Sequence, residues 1–161
     1  MKNLYLLLSF ALTLFSCGGN EEIRDKNYPQ GFSATELSFS AKGGNAIVTS
    51  QREEWSFPDG LKINGETYYY YRCEEVFPDI GYSKDNKPGI CSDSLFTVKY
   101  DILKKYLEIV EIEGSWFKIT KENPKQITVF IEPNLTGEIR QIRISALDIS
   151  GTSISITQSG E

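Results

Sequence analysis

The feature that most constrains the fold is a series of apolar and polar alternations between residues 115 and 158. Three of its segments place apolar side chains at every second position: Ile127, Val129 and Ile131; Ile142 and Ile144; Ile154 and Ile156. A period of two puts successive side chains on opposite faces of a strand. Turn-forming residues separate the segments at 122–125, 133–137 and 148–151, which favours tight antiparallel turns. The region therefore predicts four short strands that make up half of a β-sandwich.

Several short pieces of sequence, taken in their order along the chain, carry a family resemblance. They are Glu36–Ala41, Gly43–Asn45, Ala46–Ser50, Trp116–Ile119, Asn134, Thr136–Gly137, Arg140 and Ile154–Gln158. Together they resemble the first two strands and the second half of a BACON domain, a Bacteroidetes-associated, carbohydrate-binding, often N-terminal module. The resemblance implies an immunoglobulin-like antiparallel β-sandwich. That family passes quickly from its second strand to its Trp strand, so we expect the longer intervening sequence here to be an insert at about 55–113.

The first residues predict an export signal. Lys2 precedes an apolar run from Leu4 to Phe15. Because a helix needs about twenty apolar residues to span a bilayer, this run is too short for a membrane anchor and is typical of a signal peptide. Ser16, a small residue, separates the run from Cys17, and this pattern resembles a bacterial lipobox, in which the cysteine is diacylated and becomes the new N-terminus. An ordinary secretory signal is the alternative. We expect lipidation of Cys17.

The remaining length suits one domain. We expect a signal peptide at 1–16, a flexible acidic tether at 17–33 and a single domain at 34–161. Glu21 and Glu22, shortly after Cys17, resemble the short acidic signals that send lipoproteins of this phylum to the outer face of the outer membrane. The expected location is therefore the cell envelope, lipid-anchored in the outer membrane and exposed at the surface.

The charge balance bears on partners. The chain has 17 basic and 22 acidic residues, a net charge of −5. Removal of residues 1–16 takes away one basic residue, Lys2, and no acidic residue, so the net charge becomes −6. A negative chain does not attract phosphates, so we expect no nucleic-acid partner, and membrane association only through the lipid.

The chain contains no histidine, which removes the commonest general base and most catalytic metal sites. Carboxylates can catalyse glycoside hydrolysis in pairs, but the acids at Glu108, Glu111 and Glu113 fit a solvated strand face. We therefore expect no enzyme, no cofactor and no metal. Two cysteines remain after Cys17, and in an exported chain Cys73 and Cys91 predict a disulfide, with a metal site as the weaker alternative.

The insert begins with a predicted hairpin. Leu61–Ile63 and Thr67–Arg72 flank Asn64–Gly65, the dipeptide most favoured in a two-residue type I′ turn. Four consecutive tyrosines follow the turn, and on a strand Tyr68 and Tyr70 share one face while Tyr69 and Tyr71 share the other. We expect one pair in the core and one exposed. After the cysteine loop we expect a strand at 94–100, a turn or one helical turn at 101–106, and a second strand leading to Trp116.

Aromatic side chains are the remaining candidates for function, because the apolar face of a sugar can lie on an exposed ring. We predict Trp55, Tyr69, Tyr71 and Tyr82 as ligand-binding residues, with core packing as the alternative for Trp55 and the tyrosines. Trp116 is expected to anchor the core. Asn134 and Arg140 are expected to position turns and edges.

The expected function is a non-catalytic cell-envelope lipoprotein module that binds carbohydrate, either a free glycan or mucin. This expectation comes from the resemblance, because fold alone does not determine function. The alternative is a structural or protein-interaction subunit of an envelope complex. Asp93-Ser94-Leu95 also resembles the site at which this phylum O-glycosylates exported proteins.

Overall fold

The computed structural model describes residues 31–50, 55–78, 86–103, 105–145 and 153–161. Within these ranges the chain forms strands and turns without a helix. The strands are β1 (Glu36–Phe39), β2 (Gly44–Thr49), β3 (Gly60–Ile63), β4 (Glu66–Tyr69), β5 (Gly89–Ser92), β6 (Phe96–Leu103), β7 (Tyr106–Gly114), β8 (Phe117–Asn123), β9 (Gln126–Ile131), β10 (Arg140–Ser145) and β11 (Ser153–Gln158). They form two sheets, so the predicted all-β sandwich is confirmed.

The first sheet has the order β1-β11-β10-β3-β4. Its neighbours are antiparallel except β1 and β11, which run parallel, with Leu37 opposite Ile156. The prediction of a purely antiparallel sandwich therefore needs this one addition. A parallel pair cannot be joined by a tight turn, which is consistent with its strands lying at the two ends of the domain.

The second sheet has the order β2-β9-β8-β7-β6-β5, and all its neighbours are antiparallel. Two connections carry the chain from one sheet to the other, and one of them, at 133–137, was predicted to be a tight antiparallel turn within a sheet. Residues 133–137 connect β9 to β10, and Gly43 connects β1 to β2. Gly43 has a φ of 70°, and a Cβ there would collide with the Ile131 carbonyl, so glycine is needed at this crossing.

The core lies between the sheets and is built from the predicted alternation. Ile127, Val129 and Ile131 of β9 are buried, as are Ile142 and Ile144 of β10 and Ile154 and Ile156 of β11. Strands of the insert contribute equally, with buried Phe96, Val98 and Tyr100 on β6. The segment at about 55–113, which we expected to be an insert, is therefore a part of both sheets and of the shared core.

The Asn64–Gly65 hairpin forms as predicted between β3 and β4. Asn64 and Gly65 have φ values of 48° and 90°, the positive values that a type I′ turn requires. Asn64 also fixes the hairpin to β10, because its Oδ1 accepts a hydrogen bond of 2.8 Å from the Gln141 N–H. Its own N–H donates to the Gln141 carbonyl over 3.0 Å.

The second half of the insert is a hairpin with a longer reach than predicted. Residues 101–103 continue β6, and β7 begins at Tyr106, so the turn or helical turn expected over 101–106 is wrong for the residues that the structure describes there. The register shifts between Lys99 and Tyr100, and Ile109 and Val110 are both buried in consecutive positions of β7. This irregularity interrupts the period of two along the hairpin, so the sequence there does not show a plain strand pattern.

The Cys73–Cys91 disulfide is confirmed, with a Cα–Cα distance of 5.5 Å. Cys73 follows β4, the edge strand of the first sheet, and Cys91 lies on β5, the edge strand of the second. The bond therefore joins the edges of the two sheets on one side of the sandwich.

Candidate tyrosine-lined binding face

The strongest candidate site lies on the edge strand β4. Tyr69 and Tyr71 are 75% and 56% exposed, whereas Tyr70 is buried and Tyr68 packs against the core. The inward pair is held by Phe96, whose ring lies edge-on to Tyr68 at 5.9 Å and to Tyr70 at 6.3 Å. The predicted alternation in burial of the four tyrosines is confirmed, although β4 ends at Tyr69 and not at Arg72. Tyr69 therefore lies on the outer side of the first sheet, and Tyr71 is exposed just beyond the end of the strand.

The strand register supplies the neighbours of these rings. Thr67 lies opposite Lys62 on β3, and Lys62 lies opposite Arg143 on β10. Because the intervening positions point into the core, these residues share the outer face with Tyr69. We call the surface formed by Lys62, Thr67, Tyr69, Tyr71 and Arg143 the β4 face.

Gly60 keeps the area beside Tyr69 open. It lies directly opposite Tyr69 across the β3–β4 pair and contributes no side chain to the outer face. A Cβ at this position would collide with the Tyr68 carbonyl. Glycine is therefore the residue that both permits the close backbone approach and leaves the ring without a cross-strand neighbour.

The hydrogen-bonding groups of the β4 face are largely available. Arg143 donates from Nε to the Ser153 hydroxyl over 3.2 Å, and neither Arg143 nor Lys62 contacts a carboxylate in the described part of the chain. Thr67 is exposed beside them. The face therefore combines aromatic rings with a hydroxyl, an ammonium and a guanidinium group.

Trp55 does not belong to this face. It is only 4% exposed, its ring lies edge-on to Phe32 at 5.2 Å and to Phe57 at 5.3 Å, and its Nε1 donates to the Pro124 carbonyl over 2.8 Å. Our expectation that Trp55 presents a ring to a sugar is therefore corrected: it is a core residue. We predicted an exposed Trp55 because it lies at the start of the segment expected to be an insert, but that segment packs into the common core.

The other predicted residues fall into two groups. Tyr82 and Cys17 lie outside the described residues. Trp116 is partly buried, and the Arg140 guanidinium lies 5.3 Å from the centre of its ring, so it packs at the border of the core. Asn134 is fully buried and has the expected turn role, because its Nδ2 donates to the carbonyls of Glu138 (2.6 Å) and Ser159 (3.1 Å).

Sequence reasoning missed a buried lysine. Lys121 is 3% exposed, and its Nζ donates to the Trp55 carbonyl over 2.7 Å and forms an ion pair with Glu108. The signal was present in the alternation of β8, where Phe117 and Ile119 are inward and Lys121 is the next position in that phase. A charged side chain in an inward phase indicates a paired internal group.

Several side chains outside the β4 face have raised pKa values. Burial raises the pKa of Tyr70 far above its usual value, and burial likewise raises the pKa of Tyr100. A hydrogen bond to Glu111 raises the pKa of Lys118 on the second sheet. Across the described ranges, no group of three or more His, Cys, Asp or Glu side chains is placed to hold a metal ion. The geometry of the β4 face suits binding by stacking and hydrogen bonding.

Comparison with known proteins adds little to this picture. No family model matches the chain, and no curated protein sequence matches it. A solved structure described as "NMR structure of the protein from Bacteroides thetaiotaomicron" is similar to it at 15% sequence identity, with 83% of this chain and 82% of that chain covered and a TM-score of 0.49. Among the described segments, no helix has the length and apolar character that crossing a membrane requires.

Proposed function

We propose that this protein is a non-catalytic carbohydrate-binding module of the cell envelope, which takes its ligand on the β4 face. The observation that carries the proposal is the pair of exposed rings, Tyr69 on the outer side of the edge strand β4 and Tyr71 two residues beyond it. Large aromatic side chains normally bury most of their surface, and two exposed tyrosines so close together in the chain are typical of a contact surface.

The chemistry of the β4 face suits a sugar. The apolar C–H face of a pyranose ring can pack on Tyr69, while hydroxyl groups of the ligand accept hydrogen bonds from Lys62 and Arg143 or exchange them with Thr67. The disulfide and the short Asn64–Gly65 turn fix the hairpin on both sides. A fixed site loses little conformational entropy when the ligand binds.

The resemblance to the BACON family supports the same class of ligand, a glycan or mucin. In this proposal Cys17 is lipidated and holds the module on the outer membrane, exposed at the surface. The tether at 17–33 then separates the β4 face from the bilayer.

A glycan array tests the proposal. The chain from residue 18 onward keeps every described residue and is compared with Tyr69→Ala and Tyr71→Ala. We expect each substitution to weaken binding several-fold to about tenfold, since an aromatic contact contributes about 0.5–1.5 kcal/mol beyond its area.

Tyr106→Ala is the matched control, because Tyr106 is also a tyrosine, is 71% exposed and begins β7 in the second sheet. It is expected to leave binding unchanged. Folded protein that ignores every glycan on the array would overturn the proposal, as would binding that survives both β4 substitutions.

The envelope location has a separate test. Metabolic labelling with a fatty acid is expected to mark the wild-type protein and not Cys17→Ser, because only the thiol can carry the diacylglycerol. Protease treatment of intact cells is expected to remove the labelled protein. Labelled protein that resists the protease until the outer membrane is opened would place the module on the periplasmic side.

The second candidate function is a protein-interaction subunit of an envelope complex. It is favoured by exposed apolar side chains at the far end of the β6–β7 hairpin, where Ile102 and Tyr106 face solvent. Crosslinking in intact cells through a photoreactive residue at position 102 tests it. A discrete crosslinked envelope protein would support this function, and its absence together with glycan binding would exclude it.

A further inference from the structure

We propose that the saccharide bound on the β4 face is anionic, and that Lys62 and Arg143 recognise its carboxylate or sulfate group. The inference rests on the proposed function and names the class of ligand for the same site. It starts from two cations that lie directly opposite each other on neighbouring strands, β3 and β10.

This arrangement is unfavourable for the free protein. Residues directly opposite on antiparallel strands have Cβ atoms about 5 Å apart, and like charges in such a pair destabilise a sheet. Both side chains are exposed, and in the described ranges neither contacts a carboxylate. The repulsion is therefore not relieved within the described structure, although acidic residues outnumber basic ones in the chain by 22 to 17.

Nearby acids are engaged elsewhere or lie farther away. Asp59 pairs with Arg72 at 3.5 Å, and Glu66 accepts a hydrogen bond of 2.7 Å from the Tyr68 hydroxyl. Glu36 occupies the same cross-sheet row as Lys62 and Arg143, but Ser155 on β11 lies between. The β4 face is thus a local positive patch on a negative protein.

The second sheet shows how this fold treats a cation when it has a purely structural role. On its outer face Lys118 contacts Glu111 at 3.0 Å and Glu113 at 3.3 Å, and Lys99 lies opposite Glu111. Cations there are placed among carboxylates. The pair on β3 and β10 differs because the anion is missing, which indicates that the anion comes from a ligand.

The geometry also fits a sugar that reaches the rings. Tyr69 is the diagonal neighbour of Lys62, a spacing of about 7–8 Å in an antiparallel pair. An anionic substituent held by Lys62 and Arg143 therefore leaves its sugar ring within reach of Tyr69. A guanidinium can bind a carboxylate or a sulfate through two parallel hydrogen bonds, and Lys62 adds a point charge.

The test is an array on which each neutral oligosaccharide is printed beside its sulfated form and its uronic or sialic acid form. The chain from residue 18 onward is compared with Lys62→Gln, Arg143→Gln and the double variant. Lys99→Gln is the matched control, since it removes a surface lysine from the other sheet. Variants are first checked by circular dichroism and thermal unfolding.

We expect binding to the charged forms alone, a loss of about tenfold in the double variant, further weakening by salt and no change in Lys99→Gln. Which charged form binds identifies the group as a carboxylate or a sulfate. Equal binding of neutral and charged forms that depends on Tyr69 but not on Lys62 would overturn this inference and leave the proposed function intact. Charged forms that bind Lys99→Gln as weakly as the double variant would also overturn it. Failure to bind any form would overturn both.

Discussion

The ammonium group of Lys121 lies 4.3 Å from the centre of the Trp55 ring, and the same nitrogen donates a hydrogen bond to the Trp55 carbonyl. Lys121 belongs to β8, whereas Trp55 precedes β3, so the contact holds the start of the insert onto the second sheet. Glu108 of β7 neutralises the charge. This arrangement makes an internal cation acceptable because both its charge and its hydrogen-bonding capacity are used.

Loss of the Lys121 ammonium should destabilise the fold. Lys121→Met is expected to lower the free energy of unfolding by about 3 kcal/mol, because Glu108 and the Trp55 carbonyl are left without their partner in a partly buried setting. Urea unfolding measures the change. Adding Glu108→Gln should recover part of the loss, and Lys118→Met, which removes two partly exposed ion pairs, should cost at most about 1 kcal/mol. An equal loss in both lysine variants would contradict the argument.

The Tyr70 hydroxyl is buried and has no hydrogen-bond partner among the described residues. Tyr70→Phe keeps the ring beside Phe96 and removes the unsatisfied group. We expect the free energy of unfolding to stay constant or to rise by about 1 kcal/mol, since a buried polar group without a partner costs about that much or more. Equilibrium unfolding measures the stability of Tyr70→Phe, with Tyr100→Phe as the control substitution. A clear loss of stability in Tyr70→Phe would show that the Tyr70 hydroxyl has a hydrogen-bond partner.

Stability should fall in alkali. Tyr70 and Tyr100 have pKa values raised by burial, so above about pH 10.0 the unfolded tyrosines ionise while the folded ones keep their protons. The unfolded state then binds fewer protons than the folded state, and the free energy of unfolding decreases with pH, by at most about 1.4 kcal/mol per pH unit for a tyrosine that keeps its proton in the folded state. Measuring the free energy of unfolding in urea at several values between about pH 8 and about pH 11 tests this prediction. Tyr70→Phe should reduce the slope, and an unchanged slope would assign the alkaline loss to other groups.

The charge pair on the β4 face makes a prediction for the unliganded protein. Arg143→Gln removes the repulsion with Lys62, so the melting temperature should rise by about 1–3 °C. In contrast, Lys118→Gln removes an attraction to Glu111 and should lower it slightly. Differential scanning calorimetry at low salt distinguishes the two. A lower melting temperature for Arg143→Gln would mean that its hydrogen bond to Ser153 outweighs the repulsion.

The disulfide should contribute to equilibrium stability. Cys73 and Cys91 are separated by 18 positions, and closing a loop of that size stabilises the folded state by about 3 kcal/mol. Cys73→Ala combined with Cys91→Ala removes the bond without leaving a free thiol. We expect the free energy of unfolding to fall by about 3 kcal/mol, and the urea midpoint to fall with it, while the circular dichroism spectrum keeps its β-sheet form. A midpoint equal to that of the wild type would show that the two sheet edges are held by other contacts.

The sequence was sufficient for local structure with a strict period. The alternation in β9, β10 and β11, the four tyrosines and the Asn64–Gly65 turn were predictable because each depends on neighbours within a few residues. The disulfide followed from the small number of cysteines. The alternation showed that one pair of tyrosines would be exposed, but it did not show whether that pair was Tyr69 and Tyr71 or Tyr68 and Tyr70.

Long-range pairing was beyond sequence reasoning. The parallel contact of β1 with β11 and the meeting of Lys62 with Arg143 join segments far apart in the chain, and no local pattern encodes them. Trp55 was misplaced for the same reason, since its burial depends on Lys121 and Pro124. The shift in register near Tyr100 interrupts the period-two alternation, so the full lengths of β6 and β7 could not be predicted from the sequence.

The parallel pairing of β1 with β11 also determines how the domain responds to mechanical force. Because the strands point the same way, a pull on the chain before Glu36 and after Gln158 acts along the strands in opposite directions. All the hydrogen bonds between Glu36–Phe39 and Ser155–Gln158 are then loaded in shear at once, whereas an antiparallel hairpin pulled at its open end unzips one bond at a time. The two ends of the domain therefore form a shear clamp, and traction along the chain must break it before the core is exposed.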